Sequence, residues 1–240
     1  MSQLINTILS EDFKHRLTDA AKVHISKHVE TGFQVFKEKK SSPQVDSVVT
    51  GNKSNITLNW APSKDLDMHN NYDSIIKSSL PPPVLTLYSL FISLHFHPLM
   101  TNGSLYCSNL LPSTFIDGTG DLIFLHRTRE FPENNYAVKM IAGVICEEPL
   151  EIAVLAVQEK ESDLKKSIIN EQFLRNLRVQ YKKTFANEDV SRPILERCLK
   201  NIAFLETTGE YHAEVFFMKH NSFQGYEDIS RFKENKEIEK

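Results

Sequence analysis

Hydrophobic and polar positions follow two different periods along this chain. Over residues 1–29, apolar side chains recur every three or four positions, which predicts helix. The period changes after Thr31, where Phe33 and Val35 lie on one side of an alternating pattern that predicts a strand. Two more short strands are predicted over 45–50 and 55–60, and the Gly-Asn-Lys-Ser turn between them is typical of a hairpin.

The rest of the chain continues this mixture of elements. We predict a strand in the second half of 84–96, further strands over 136–145, 150–157 and 211–218, and helices over 121–129, 163–185 and 192–205. A loop over 98–120 separates the first of these strands from the next helix, and loops of that length tend to be functional. Strands and helices that alternate in this way predict an α/β or α+β fold.

Composition narrows the class of protein. The 240 residues are 40% hydrophobic and 25% charged, as in an ordinary globular protein, and the net charge of -3 gives no reason to expect a nucleic-acid or membrane surface. The odd count of three cysteines does not predict a disulfide framework. Because the amino terminus also lacks the apolar core of a signal peptide, we expect a reducing, cytoplasmic location.

The strongest chemical signal lies at the end of the predicted strand before Pro98. Alternate residues of a strand point to the same face, so Phe91, Ser93, His95 and His97 are predicted to share one face. Two imidazoles separated by one residue at a strand end can converge on one metal ion. Taken alone, however, such a pair is more often two ordinary histidines that hydrogen-bond to the backbone.

A hydrolytic zinc site needs a third protein ligand and one open position for water. The loop after the two histidines supplies two carboxylates, Asp117 and Asp121. Two other histidines, His24 and His28, lie four residues apart on the first predicted helical region. Since no carboxylate completes a His-Glu-x-x-His pattern there, they are expected to be structural. His126 is expected on the surface of its helix.

The order of several segments resembles the JAMM/MPN (JAB domain) family of zinc metalloproteases. The segment LHFHP at 94–98 is followed by Ser113 and then by Asp121, as in the family's His-x-His-Pro, serine and aspartate motif. Upstream, Glu30 and Gly32 stand where a helix gives way to a strand, which is similar to the family's segment that carries the catalytic glutamate. The resemblance covers roughly residues 15–157.

The resemblance implies a fold and a chemistry. The fold would be a three-layer α/β domain of MPN/JAB type (cytidine-deaminase-like) over 1–158, with a mixed sheet. His95, His97 and Asp121 would bind Zn²⁺, Glu30 would be the catalytic base, and Ser113 would donate a hydrogen bond to the oxyanion. The reaction would be hydrolysis of an amide or isopeptide bond in a protein or peptide substrate, with ubiquitin-like modifiers among the candidates.

The remaining regions are expected to extend this core. Helices and an edge strand over 159–230 would pack on it, and a charged tail over 231–240 would fray.

The chain also departs from the family pattern. Asp121 lies 24 residues after His97, a longer interval than the motif has, so a loop insertion is implied. Asp117 is the alternative third ligand, although Asp121 is favoured because a predicted helix starts there. Phe33 stands where the family's second glycine is common. These departures leave open a catalytically inactive MPN-like scaffold that acts through protein–protein contacts.

Overall fold

A computed structural model gives the fold of this chain, and it describes residues 2–38, 41–52, 56, 88–97, 110, 112, 120–128, 136–160, 171–185 and 194–233. Most of the predicted strand over 55–60, most of the loop over 98–120 and the first part of the helix predicted from 163 lie outside these residues. Within the described part of the chain, no helix has the length and apolar character needed to cross a lipid bilayer.

The predicted amino-terminal helical region is confirmed, but it is divided in two. Helix α1 spans Gln3–Ile8 and helix α2 spans Glu11–Lys27. The division falls at Ser10, whose side-chain oxygen accepts a hydrogen bond of 3.2 Å from the backbone N–H of Phe13 and so caps α2. Helix α2 is followed by its carboxyl-terminal cap, His28, which adopts the left-handed conformation common at that position (φ 52°).

The described strands form one mixed sheet. They are β1 (Thr31–Glu38), β2 (Gln44–Val45), β3 (Val49–Thr50), β4 (Tyr88–Phe96), β5 (Val138–Cys146), β6 (Glu151–Glu159), β7 (Tyr211–Lys219) and β8 (Ser222–Gln224). The order across the sheet is β2-β1-β4-β5-β6-β7-β8, and β3 also pairs with β1. Strands β4 and β5 are parallel, and the other neighbours are antiparallel. Five of these strands, β1 and β4 to β7, match the predicted ones closely.

The segment over 45–50 is not the single hairpin strand that its pattern predicts. It is interrupted between β2 and β3, and both pieces pair with β1, with Val45 opposite Val35 and Val49 opposite Gly32. Four steps along this segment therefore match three steps along β1, so one extra residue must leave the ladder. Such a bulge is invisible to a two-residue period, which is why the pattern predicted an unbroken strand.

Helices cover both faces of the sheet. Helices α1 and α2 and a 3₁₀ helix at Glu227–Arg231 pack on the first face. Helices α3 (Asp121–Thr128), α4 (Glu171–Phe185) and α5 (Ile194–Thr207) pack on the second face. The central strands β5 and β6 are therefore buried on both sides, which explains their nearly continuous apolar sequences. The predicted α/β class is confirmed at this level, as a mixed sheet between two helical layers.

Strand β4 departs from simple alternation at Phe91. Its neighbours Leu90 and Ile92 pair with Phe36 and Val35 of β1, which leaves Phe91 as the extra residue of a β-bulge. Phe91 consequently packs in the first-face core, with Ile92. The prediction that Phe91 shares a face with the histidines is wrong, because the bulge reverses its side. Beyond the bulge the alternation holds to the end of the strand.

The carboxyl-terminal region is part of the same sheet. The edge strand expected there is internal, since β7 lies between β6 and the short β8. The expectation of a frayed tail is wrong for residues 231–233. Phe232 is buried, and Arg231 forms ion pairs with Glu206 and Glu214.

Candidate metal centre

Two neighbouring elements place three metal-ligand side chains on the second face of the sheet. His95 lies near the end of β4, and His97 follows it, held by a 3.1 Å hydrogen bond from its backbone N–H to the Ala142 carbonyl of β5. Asp121 is the first residue of α3, whose first turn closes through the Phe124 N–H and the carbonyl of the preceding glycine. A carboxylate is favoured there because the amino end of a helix carries partial positive charge.

The three side chains converge. The Nε2 atom of His95 lies 3.5 Å from Oδ1 of Asp121, and Nε2 of His97 lies 3.3 Å from Oδ2. One ligand atom from each residue can be chosen so that all lie within 4.8 Å of one another. His95 and Asp121 are buried, whereas the side chain of His97 keeps 13% of its surface exposed. The group is therefore almost fully buried, and His97 is its most exposed member.

This donor set fits a divalent transition metal. Two imidazoles and one carboxylate are the ligand types of hydrolytic zinc sites, which keep a fourth position open. One buried atom fits a metal site less well. The Nδ1 atom of His95 has no hydrogen-bond partner among the described residues. If Nε2 bound a metal, Nδ1 would carry the proton and lack the acceptor that usually orients a metal-bound histidine.

Glu30 lies beside these side chains because of the pairing between β1 and β4. Gly32 is opposite His95 at the end of that antiparallel ladder, and the carboxyl of Glu30, two residues earlier, lies within reach of the charges of His97 and Asp121. Glu30 is buried, with 7% of its surface exposed. Burial raises the pKa of its carboxyl, and the negative charge of Asp121 acts in the same direction, while His97 and Lys139 oppose it.

The backbone around Glu30 is held by strand-like hydrogen bonds. Its N–H donates to the Asn52 carbonyl at 2.7 Å, and its own carbonyl accepts from the Gly51 N–H at 2.8 Å. On the helix side, the Thr31 hydroxyl donates to the Ala20 carbonyl at 2.8 Å. The backbone of Glu30 is thus fixed to residues 51 and 52, and its neighbour Thr31 is fixed to α2.

His24 supports the same turn, as the structural role predicted for it requires. Its Nδ1 lies 2.6 Å from the Val29 carbonyl, which fixes Nδ1 as the donor, and its ring stacks on Phe96. Burial lowers the pKa of His24, although the bond to Val29 opposes this effect. His24 therefore anchors the peptide that precedes Glu30.

Gly32 allows β1 to approach the histidines. A Cβ atom at this position would overlap the Leu94 carbonyl oxygen and lie 2.9 Å from both Cα and Cβ of His95. Any side chain here would push His95 away from Asp121 or separate the two strands. This close approach explains why glycine occupies position 32.

Sequence reasoning missed one charged residue of the site, Lys139. Its ammonium lies 3.1 Å from Oδ1 of Asp121, and only 5% of the residue is exposed. The available signal was a lone lysine in the otherwise apolar sequence of β5. Sequence alone does not show whether such a lysine is buried at a site or extends its ammonium group to solvent.

The pKa values of His95 and Asp121 show which groups of the site carry charge. Burial lowers the pKa of His95 well below its usual range, and Lys139 acts in the same direction, so this imidazole is neutral at pH 7. Burial alone would raise the pKa of Asp121, but the Lys139 ammonium and the hydrogen bond from His97 hold it well below its usual range. Because a neutral His95 carries no full charge, we assign the compensating cation to Lys139.

The other predicted residues fall into two groups. Ser113 and Asp117 lie outside the described residues, so Asp121 is the candidate carboxylate that the structure brings to the histidines. His126 is only partly exposed, and its Nδ1 lies 3.2 Å from Oε1 of the buried Glu159, so it is not the plain surface residue expected.

Comparisons with protein-family models, curated proteins and solved structures find no match to this chain.

Proposed function

We propose that this protein is a zinc-dependent hydrolase of amide or isopeptide bonds. The observation that carries the proposal is the convergence of His95, His97 and Asp121, with Glu30 buried two residues before Gly32, the strand partner of His95. Two imidazoles, one carboxylate and a nearby general base are the parts of a metal-assisted hydrolytic site. The resemblance to the JAMM/MPN family assigns the same residues to the same roles.

His95, His97 and Asp121 would hold the zinc ion. Bound there, zinc would supply Lewis acidity, which lowers the pKa of water toward neutrality and polarises a substrate carbonyl. His97, the most exposed of the three, would be the ligand nearest to an entering substrate.

Glu30 would carry the proton transfers. Its carboxylate accepts a proton from the attacking water, so that hydroxide adds to the carbonyl carbon. It then returns this proton to the amine nitrogen as the carbon–nitrogen bond breaks. A base of this kind works best with a pKa close to the operating pH, and burial raises the pKa of Glu30 in that direction. Ser113 remains a predicted donor to the oxyanion, and the ubiquitin-like substrate remains a prediction from the family resemblance.

One observation favours a second candidate, a catalytically inactive MPN-like scaffold that acts through protein contacts. The ammonium of Lys139 already pairs with Oδ1 of Asp121, so the buried carboxylate is neutralised without a metal. A site of this charge balance can be stable as a purely structural cluster.

Metal content together with turnover separates the two candidates. Purified wild type, supplied with zinc, is expected to hold about one zinc per chain by elemental analysis, and His95→Ala/His97→Ala none. Glu30→Gln should keep the zinc but lose roughly 100- to 10,000-fold in hydrolysis of isopeptide-linked and peptide substrates. Full turnover by Glu30→Gln would show that the assigned base is wrong. Wild type without zinc would overturn the hydrolase and favour the scaffold.

A further inference from the structure

Lys139 reaches the site from the strand beside the histidines. Parallel pairing sets Lys139 next to Ser93, so its side chain leaves β5 on the same face as the metal ligands. Its ammonium lies 3.1 Å from Oδ1 of Asp121, 3.4 Å from Oγ of Ser93 and 5.0 Å from the centre of the Phe124 ring. Each contact suits a desolvated cation, because a buried ammonium needs a counter-charge and hydrogen-bond acceptors.

These contacts compete with a metal for the same carboxylate. Oδ1 of Asp121, the oxygen next to Nε2 of His95, is the one that Lys139 contacts. Without a metal, the negative charge of Asp121 and the positive charge of Lys139 cancel. A divalent ion bound to Asp121 would therefore meet an unopposed ammonium at close range in a dry site, where repulsion is poorly screened.

We propose that Lys139 is a built-in competitor of the metal ion. It holds Asp121 in place when the site is metal-free, and it weakens zinc binding, so that occupancy follows the supply of free zinc. This inference rests on the proposed function, since it takes the same three ligands as the zinc site. It adds a regulation of that site that the hydrolytic mechanism does not need.

Lys139→Met tests the inference. Methionine keeps an unbranched apolar side chain against Phe124 and removes the charge. We expect zinc affinity, measured by competition with a chromophoric chelator, to rise about 10- to 100-fold, the size of effect that neighbours of metal ligands have. The metal-free variant should melt roughly 5–10 °C below wild type, because Asp121 loses its counter-charge. Lys139→Arg, which keeps the charge, should stay close to wild type in affinity.

Two further variants serve as a control and as a second neutral substitution. Lys219→Met removes a strand lysine that pairs with Glu151 at 3.5 Å but is 37% exposed, and it should change neither zinc affinity nor melting appreciably. Lys139→Gln keeps a hydrogen-bond donor for Asp121 without the charge. It gives the same affinity comparison if the methionine variant does not fold.

The outcomes separate the inference from the proposed function. Tighter zinc binding by the neutral variants supports the inference. Equal affinity in wild type and the neutral variants overturns it but leaves the hydrolase intact. Zinc bound by the neutral variants and not by wild type supports the inference and overturns the hydrolase. Absence of zinc from all of them overturns both.

Discussion

Two charged clusters of this protein differ in burial. The Asp121 cluster consists of Asp121, His95, His97 and Lys139, whose side chains are between 5% and 13% exposed. The Arg231 cluster joins Arg231, 39% exposed, to Glu206 and Glu214, and Arg231 also donates a 2.7 Å hydrogen bond to a backbone carbonyl.

The difference teaches what each cluster can do. In the Arg231 cluster the side chains of Arg231 and Glu206 are 39% and 32% exposed, so their pairing fastens the carboxyl-terminal segment at small cost. In the Asp121 cluster the charges are desolvated, and the His95 Nδ1 atom has no partner among the described residues. If the cluster served only to hold the fold together, well-packed apolar residues in its place would often give equal or greater stability. The buried cluster is therefore the more costly of the two to assemble.

The largest expected effect comes from Asp121→Asn. In metal-free protein it leaves the Lys139 ammonium buried without its counter-charge and should lower the free energy of unfolding by about 3–5 kcal/mol. Glu206→Gln in the Arg231 cluster is the matched change and should lower it by less than about 1 kcal/mol. Urea unfolding of both variants measures the contrast. Equal losses would mean that burial does not distinguish the two clusters.

Gly32→Ala should have the next largest effect. The added methyl group overlaps the Leu94 carbonyl and crowds His95, so we expect a loss of about 1–3 kcal/mol and weaker zinc binding. Gly209→Ala is the control. A Cβ there would contact nothing, but its φ of 78° strains alanine. It should cost stability, by about 1 kcal/mol, and leave zinc affinity unchanged. Undisturbed zinc binding in Gly32→Ala would remove this role of the glycine.

A smaller effect should appear in the pH dependence of stability. Burial lowers the pKa of His24 below 6.5, so below that pH the unfolded chain binds more protons than the folded one. Stability is therefore expected to fall as pH falls through and below 6.5. His24→Asn keeps a donor for the Val29 carbonyl and does not titrate. Urea midpoints at about pH 7.5 and about pH 5.5 should differ less in this variant than in wild type. Identical pH slopes would contradict the assignment.

The smallest effect concerns salt. Arg231→Met should cost about 0–1 kcal/mol at low ionic strength, and this cost should disappear near 1 M salt, where charges are screened within about 3 Å. The cost of Asp121→Asn should persist at the same salt concentration, since buried pairs are screened much less. Unfolding of each variant at both salt concentrations gives the comparison. A salt-sensitive Asp121→Asn would show that water reaches the buried cluster.

Local sequence pattern was enough for much of the fold. Strands β1 and β4 to β7 and helices α2, α3 and α5 follow from periods of two or 3.6 residues, because these periods are properties of the chain's own backbone. The bulge at Phe91 and the break between β2 and β3 escaped prediction. Each depends on how a neighbouring strand is aligned, which no local period encodes.

The candidate site divides in the same way. The sequence by itself put His95 and His97 on one strand face and Asp121 at the start of a helix. Only the tertiary structure decided that the β1–β4 register places Gly32 opposite His95, with Glu30 two residues before it, and that Gly32 leaves room for His95. It alone revealed Lys139, because parallel pairing of β4 with β5 turns an isolated lysine into the counter-charge of Asp121. Residue type and spacing are local, but the partners of a charge are chosen by strand pairing between segments far apart in the chain.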